Sequence, residues 1–335
     1  MSLRAVVPAL LIACLAAGCT TDPEFPEKSV QVAVTNLPPL DDQANYHLWF
    51  SYPEDRANNA GAPFDKAQHG DKEYLSIGAF RVAADGSLVS AAGSGAAAFA
   101  IPDGYNPNLI EDAILTVENA DATPTTPGSR VIGGVFTGTA TVARCTLTVQ
   151  SNDAFGAIIQ LDSTVLRTYF LDAPTSLPID DFMQGIWFGA VNGTAVRPGL
   201  SLSPQPLNSQ NKRWTYESWL VQRQGATVDS YISLGRFDNI DTPDSTGPGA
   251  GAGPTPAEAY SIPGEDFVAA SAQRTLNDGS YRVVVSLQPT DVPLRRPLLT
   301  LLQTSGPIPT TAARYQSLPL SVNTTFPTMQ VTVNR

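Results

Sequence analysis

The sequence predicts an all-β protein made of two tandem antiparallel β-sandwich repeats of the immunoglobulin-like type. Three observations support this fold class. Short alternating or β-branched runs recur between turn residues at intervals of about 8–12 residues, as in sandwich proteins. The 28 prolines and 26 glycines of the 335-residue chain exceed ordinary usage and punctuate these runs. Behind the N-terminus, no segment shows the hydrophobic period of a helix.

Residues 1–18 have the layout of a secretory signal peptide. Arg4 supplies the positive charge, an apolar stretch follows, and small residues precede a cysteine. The run Leu15-Ala16-Ala17-Gly18-Cys19 resembles a bacterial lipobox, in which the cysteine thiol is acylated before cleavage on its N-terminal side. The resemblance implies that Cys19 becomes the first mature residue and attaches the chain to a lipid bilayer. An ordinary signal peptide, cut nearby and leaving no lipid, is the alternative.

Residues 19–29 are predicted to form a lipidated tether, because residues 20–28 combine two prolines with four charged side chains. Thr20 rather than aspartate follows the cysteine, which by the common sorting rule for such lipoproteins implies the outer membrane. Of the three cysteines, Cys14 leaves with the signal peptide and Cys19 carries the lipid. Cys145 then remains alone as a small buried side chain, and we expect no internal disulfide.

Strand-like runs fall into two groups, separated by a hydrophobic connector. We predict a first sandwich over 30–152, a packed connector over 153–189 and a second sandwich over 190–335. A Pro/Gly/Ala-rich insert at about 242–263 is predicted to be disordered. The predicted strands are 30–35, 47–52, 74–82, 113–118 and 139–149 in the first group, and 200–203, 216–223, 231–237, 281–288 and 329–333 in the second.

An internal repeat relates the two groups. The motif Tyr-Leu-Ser-Ile-Gly-Ala-Phe at 74–80 matches Tyr-Ile-Ser-Leu-Gly-Arg-Phe at 231–237. Upstream, Tyr46 and Trp49 match Tyr216 and Trp219, which lie 170 residues later. Elements downstream of the motif return to the same offset of 170 residues, so insertions compensate each other around a common fold.

The repeated motif predicts a β-hairpin, in which the Tyr/Trp strand leads to a loop and the Ser-x-Gly-x-Phe strand returns. By the two-residue period, Tyr74, Ser76, Gly78 and Phe80 are expected to share one face. A glycine there admits a tryptophan ring across the backbone, or a β-bulge. The constellation has two interpretations, core packing or an aromatic platform for a ligand. Its signature residues are Tyr46, Trp49, Ser76, Gly78, Phe80, Trp219, Ser233, Gly235 and Phe237.

These motifs resemble the extracytoplasmic C-terminal domain of anti-sigma-K factors. The resemblance rests on a Tyr-x-Leu-Trp strand after Leu-Pro-Pro-Leu at 37–40, the Ser-x-Gly-x-Phe strand ending in Ala-Asp-Gly at 84–86, and Thr-Val-Glu at 116–118. It implies a small β-sandwich, most clearly over 30–152. Anti-sigma factors of this kind bind the sigma factor through a cytoplasmic segment, and a transmembrane helix connects that segment to the sandwich. Since Cys19 and the tether stand where both should be, we expect no direct sigma-factor binding.

One acidic loop is a candidate metal site. Asp238, Asp241 and Asp244 follow the second motif at intervals of three residues. Carboxylates at this spacing form an oxygen cage for Ca²⁺ or, alternatively, a solvated loop. The loop lacks the alternating ligands, central glycine and closing glutamate of an EF-hand.

The composition limits the classes of function. The 31 acidic and 20 basic side chains give a net charge of −11, so the chain repels polyphosphate and we expect no nucleic-acid partner. Two histidines and three cysteines leave few side chains for catalysis or metal binding. We therefore expect a non-catalytic, cofactor-free, lipid-anchored envelope protein that binds an envelope protein or glycan, or serves a structural role.

Two other functions compete with this expectation. In the first alternative, the chain is a sensory accessory of an envelope-stress sigma/anti-sigma system. In the second it is a hydrolase of polysaccharide or peptidoglycan, which needs two carboxyl groups within about 5–10 Å of each other.

Overall fold

The structure is a computed structural model that describes residues 29–53, 72–93, 95–103, 105–151, 165, 167–174, 181–193, 195–202, 214–224, 228–244, 260–267 and 273–335. Within these ranges the regular structure is almost entirely β, and every ladder between strands is antiparallel. The prediction of an antiparallel all-β protein is therefore confirmed.

The strands vary from two to eleven residues in length, and two short 3₁₀ helices at Pro107–Leu109 and Phe182–Gln184 accompany them. The strands are β1 (Val30–Thr35), β2 (Ala44–Pro53), β3 (Lys72–Val82), β4 (Leu88–Ser90), β5 (Asp112–Asn119), β6 (Ser129–Val135), β7 (Thr137–Gly138), β8 (Val142–Thr148), β9 (Thr168–Leu171), β10 (Gly185–Trp187), β11 (Gly189–Asn192), β12 (Ala195–Pro198), β13 (Trp214–Gln224), β14 (Val228–Phe237), β15 (Gly264–Asp266), β16 (Tyr281–Pro289), β17 (Leu299–Gln303), β18 (Leu318–Pro319), β19 (Ser321–Val322) and β20 (Thr328–Asn334).

Two large sheets contain the two copies of the repeat. The first is nine-stranded, with the order β1-β20-β8-β6-β5-β2-β3-β4 and β7 paired to β8. The second is five-stranded, with the order β14-β13-β16-β17-β19. In each sheet the Tyr/Trp strand (β2 or β13) lies between its hairpin partner and a long strand (β5 or β16). The pairing therefore repeats in the same order.

The burial of each strand follows from its position in the sheet. Strands β8 and β20 alternate between buried and less buried residues, and the edge strand β1 alternates between half-buried and exposed ones, because one face contacts solvent. Strands β5 and β16 are buried almost throughout, because the main core covers one face and a smaller tryptophan cluster covers the other.

The C-terminal strand joins the first sheet. Strand β20, which the sequence analysis placed in the second sandwich, pairs with both β1 and β8. Its apolar residues Met329, Val331 and Val333 are at most 1% exposed. The chain thus closes its first sheet with its last strand.

The connector supplies two strands of a smaller sheet, with the order β15-β10-β9-β18. Leu171 and Ile186, from β9 and β10, are fully buried in the main core. The strand predicted at 200–203 is wrong. Residues 199–202 are irregular, and the nearby strand is β12, which forms a two-stranded sheet with β11. Leu200 and Leu202 are buried without joining a ladder, so their alternation indicated burial and not pairing.

The loop after β16 contacts the first repeat. Asp291 Oδ1 accepts a hydrogen bond from Ser129 Oγ at 2.8 Å, and the Asp291 carbonyl accepts one from Asn119 at 3.3 Å. The backbone N–H of Arg295 donates to Asp41 at 2.7 Å. Together with β20 and the continuous core, which takes residues from both large sheets, these bonds hold the two repeats together.

Candidate functional site

The proposed anchoring residue lies outside the described residues. Cys19, the signal peptide and most of the tether fall within 1–28, and most of the predicted disordered insert falls within 245–259, so neither prediction is addressed by the structure. Cys145 is buried in β8. No helix in the described part of the chain has the length and hydropathy needed to cross a membrane.

The signature residues of the first repeat lie in the hairpin of β2 and β3. Tyr46 pairs with Phe80, and Trp49 pairs with Ser76. The rings of Tyr46 and Phe80 stack with centroids 5.6 Å apart, and both are fully buried. Tyr46 Oη donates a hydrogen bond to the carbonyl of Pro38 at 2.8 Å. The predicted hairpin is confirmed.

The second repeat forms the same hairpin from β13 and β14. Tyr216 pairs with Phe237, and Trp219 pairs with Ser233. The rings of Tyr216 and Phe237 have centroids 5.7 Å apart. The two copies therefore keep the same register at each of these signature pairs.

The expected common face of the motif strand is wrong, because a β-bulge interrupts it. Ile77 is an extra residue in β3, between the two residues Ser76 and Gly78 that pair with neighbours on β2. The bulge reverses the alternation. Tyr74 consequently packs in the smaller cluster beside Trp49, whereas Phe80 packs in the main core.

The second motif strand has the same irregularity. The register of β13 and β14 shifts at Leu234 and Gly235, and Leu234 is fully buried. Gly235 has a φ of 110°, which side chains other than glycine rarely adopt. Of the two roles considered for the motif glycine, the structure shows the bulge.

A hydrogen-bonded chain starts at the tryptophan of the first repeat. Trp49 Nε1 donates to Thr116 Oγ1 at 2.9 Å, and Thr116 Oγ1 donates to Glu118 Oε1 at 2.6 Å. The backbone N–H of Gly128 also donates to Glu118, at 2.7 Å. Trp49 is 1% exposed and Thr116 fully buried, so these bonds satisfy polar groups that water does not reach.

The second repeat contains an equivalent chain 170 residues later. Trp219 Nε1 donates to Ser286 Oγ at 2.9 Å. Gln288 Nε2 donates to Ser286 Oγ at 3.1 Å and to the carbonyl of Arg296 at 3.0 Å. Gln288 thus replaces Glu118. In the first repeat the hydroxyl donates to the carboxylate, whereas in the second repeat the amide donates to the hydroxyl. Trp219 is 2% exposed, so neither indole presents a stacking face to solvent.

One position beside the tryptophan differs in chemistry between the repeats. In the first repeat this residue is His47, whose ring stacks on the Trp49 ring with centroids 5.9 Å apart. Burial of the imidazole lowers the pKa of His47 to about 4. In the second repeat it is Glu217, which accepts hydrogen bonds from Ser233 at 2.6 Å and from Arg236 at 2.9 Å. Burial raises the pKa of Glu217 in spite of these partners.

The structure gives the carboxylates of the acidic loop separate roles. Asp238 accepts a hydrogen bond from Thr215 at 2.9 Å, and Asp244 accepts one from the backbone of Gly264 at 3.0 Å. Burial raises the pKa of Asp244 to about 6. Asp241 is exposed. Among the described residues, no three histidine, cysteine, aspartate or glutamate side chains lie together as metal ligands.

A buried charge cluster lies beside β9. Asp172 is 1% exposed, accepts hydrogen bonds from Tyr260 Oη and Arg314 Nε, and forms an ion pair with Arg314 at 2.7 Å. Tyr315 is 40% exposed, has a φ of 61°, and lies below the Arg314 guanidinium at 4.9 Å. Because the carboxylate of Asp172 is fully engaged, this cluster ties the segment around Tyr315 to β9.

A pocket of about 380 Å³ lies between the second sheet and the segments around residues 36–38 and 323–327. Arg223, Arg282 and the rings of Tyr231 and Phe326 line it, together with aliphatic and neutral polar side chains. Within the part of the chain that the structure describes, neither guanidinium forms a hydrogen bond or an ion pair. Asp229 lies opposite Arg223 in the ladder of β13 and β14, so the uncompensated positive charge of the pocket is that of Arg282, in a protein of net charge −11.

The pocket arginines were not identified from the sequence. A signal was present, because the 170-residue offset aligns Arg282 with Asp112, which reverses the charge at one position of the repeat. The cluster around Asp172 had no such signal, since its members come from distant segments.

The chain was compared with known proteins in three ways. Neither protein-family models, nor curated proteins, nor solved structures gave a match.

Proposed function

We propose that the chain is a non-catalytic protein held on the extracytoplasmic side of a bacterial membrane, the outer membrane, by acylated Cys19. Its two β-sandwich repeats, similar to the extracytoplasmic domain of anti-sigma-K factors, have a binding or structural role there. The partner is an envelope protein or glycan.

The observation that carries this proposal is how the signature residues use their polar atoms. In both hairpins the indole N–H donates to a hydroxyl on the neighbouring strand, Thr116 or Ser286, at 2.9 Å. A motif that is repeated in one register and satisfied internally supports a duplicated scaffold. A catalytic motif would direct such groups at a substrate.

Anchoring is tested by labelling cells with a clickable fatty acid. The wild-type chain should take the label and fractionate with membranes, and the Cys19→Ala variant should do neither or accumulate as precursor. Cys145→Ser is the matched control, since Cys145 is a buried cysteine in β8 and should leave labelling unchanged. If the wild type takes no label and fractionates like Cys19→Ala, the lipid anchor is wrong and the protein is a secreted one.

The non-catalytic role is tested separately. Crosslinking in envelope fractions, followed by purification of the chain, should recover a specific envelope protein or glycan. Turnover of peptidoglycan or polysaccharide by the purified chain would instead support the hydrolase alternative.

A further inference from the structure

The two repeats also differ in chemistry at a pair of positions beside the tryptophan cluster. In the first repeat Ser51 Oγ donates to Asp112 Oδ2 at 3.1 Å and accepts from the Asp112 backbone at 2.9 Å. Both residues are at most 2% exposed. The first repeat thus closes this position with a buried, internally satisfied pair.

The second repeat has no such hydrogen-bonded pair at the equivalent position. The residues 170 positions later are Val221 and Arg282, which pair across β13 and β16. Valine offers no hydrogen bond, and the Arg282 guanidinium has no polar partner within the described residues. Both side chains line the pocket. Arg223, two residues after Val221 on the same face of β13, also lines it.

We propose that this pocket is a binding site for a small organic oxyanion, a carboxylate or phosphate ester whose apolar or ring portion rests on the pocket wall. Arg282 and Arg223 bind the oxyanion, because a guanidinium offers planar, paired N–H donors that match a carboxylate or phosphate. Val221, Val284 and Phe326 contact the remainder of the ligand.

The electrostatics and the size of the pocket support this ligand class. Among the residues that line it there is no aspartate or glutamate, although acidic side chains outnumber basic ones 31 to 20 in the chain. A volume of about 380 Å³ lies within the range of roughly 300–1,000 Å³ typical of small-molecule sites. Neither guanidinium forms an ion pair among the described residues, and Arg282 lies opposite a valine, whereas Arg223 lies opposite Asp229 in the ladder. Arg282 therefore makes the larger contribution to a local potential that selects anions.

The neighbouring Arg296 extends the positive surface without entering the oxyanion site. Its guanidinium lies over the Tyr231 ring, 5.6 Å from the centroid. Tyr231 is thereby held in place as part of the pocket wall. The first repeat holds the equivalent Tyr74 in a similar way through Arg130, at 5.1 Å. The cation over the tyrosine is common to both repeats, so the feature specific to the second repeat is the pair of pocket arginines.

The experiment measures binding to the mature chain with Cys19→Ala, which carries no acyl group that would insert into vesicles. Isothermal titration calorimetry uses glucuronate against glucose, and glycerol 3-phosphate against glycerol. A co-sedimentation arm uses phosphatidylglycerol vesicles against phosphatidylcholine vesicles. We expect binding of an anionic member of these pairs but of no neutral one, and weaker binding as NaCl increases. Binding to phosphatidylglycerol vesicles alone assigns the oxyanion to a lipid headgroup, and binding in the calorimetry arm assigns it to a free metabolite or glycan.

Variants locate the site. Arg282→Gln and Arg223→Gln should each weaken binding at least about tenfold, because each removes a charge-assisted contact. Arg144→Gln, an exposed arginine of β8 outside the pocket, should have no effect. The double variant Val221→Ser, Arg282→Asp rebuilds the pair of the first repeat and should fold but not bind.

The proposal is overturned if no anionic probe binds, or if binding is unchanged in Arg282→Gln and in the double variant. Neither result affects the lipid anchor at Cys19, which is tested by fatty-acid labelling. The pocket and the proposed membrane location therefore fail independently.

Discussion

At the scale of single residues, stability depends on how buried polar atoms find partners. The indole of each signature tryptophan is at most 2% exposed, so its N–H has no access to water. Thr116 and Ser286 satisfy the two indoles from the same position of the repeat. A polar atom buried without such a partner costs about 1–3 kcal/mol.

Removing either hydroxyl should therefore destabilise the protein. We expect Thr116→Val and Ser286→Ala each to lower the free energy of unfolding by about 1–3 kcal/mol, because each leaves an indole N–H unpaired. Urea denaturation measures the change. Thr146→Val is the control, since Thr146 is an exposed strand residue and valine keeps its β-branched shape. An equal effect in the control would contradict the role of the hydrogen bond.

His47 makes stability depend on pH. Burial lowers the pKa of His47 to about 4, whereas the unfolded chain has a histidine pKa near the ordinary 6.5. Between these values the unfolded state binds the extra proton, so stability is full above about pH 6.5 and decreases as the pH falls toward 4. The expected loss is about 2–3 kcal/mol, reduced slightly because the ring is not fully buried.

The contribution of His47 is isolated by comparison with His47→Phe, which keeps an aromatic ring but does not titrate. The difference in unfolding free energy between the two proteins should change by this amount between pH 7 and pH 4. Asp244, whose raised pKa of about 6 acts in the opposite direction, is present in both proteins and cancels. A difference that is constant with pH would show that His47 is not buried in the neutral form.

At the scale of elements, the bulge in each motif strand determines which side chains reach the main core. Without it, Tyr74 and Phe80 would share a face, and one would leave its cluster. Glycine is required at the two bulges for different reasons. A Cβ on Gly78 would lie 2.8 Å from the Ala98 carbonyl oxygen, whereas Gly235 has a φ of 110°.

Gly235→Ala should cost about 1–3 kcal/mol, because alanine is strained at this φ. Thermal unfolding followed by circular dichroism measures the effect. Gly306→Ala is the matched control, since a Cβ there meets no atom within 4 Å and φ lies outside the strained range. A similar change in both variants would show that the bulge does not depend on glycine.

At the scale of the whole molecule, the order of the sheet differs from the order of the sequence. The last strand, β20, lies between β1 and β8, so about 300 residues separate partners that share a ladder. The two repeats are consequently parts of one folding unit, which the shared core and the bonds of Asp291 reinforce.

Truncation after Pro327 should abolish cooperative folding. It removes the buried side chains Met329, Val331 and Val333 and leaves β1 without a partner. Burial of three such side chains contributes roughly 5–9 kcal/mol, which is comparable to the whole stability of a typical protein. The measurement is the urea transition of the truncated chain. A peptide of residues 328–335 added in trans should restore it, and a scrambled peptide should not. An unaltered transition in the truncated chain would contradict this role of β20.

The sequence by itself determined the features that depend on local patterns. Strand periodicity and turn residues predict the all-β class, and the repeated Tyr/Trp and Ser-x-Gly-x-Phe motifs predict both hairpins, because the two strands of a hairpin are close in sequence. Net charge likewise needs no structure. Each of these patterns lies within a segment no longer than one hairpin with its loop, Ala44–Val82 or Trp214–Phe237.

Only the tertiary structure decided the features that depend on distant partners. The place of β20, the face to which Phe80 turns after the bulge, and the cluster around Asp172 each require a neighbour that the sequence does not indicate. The same holds for the pocket. No sequence motif singles out Arg282 and Arg223. They become a candidate site because the fold places both on the wall of one pocket beside Phe326, without an ion pair among the described residues. Charge compensation and enclosure are properties of the assembled chain.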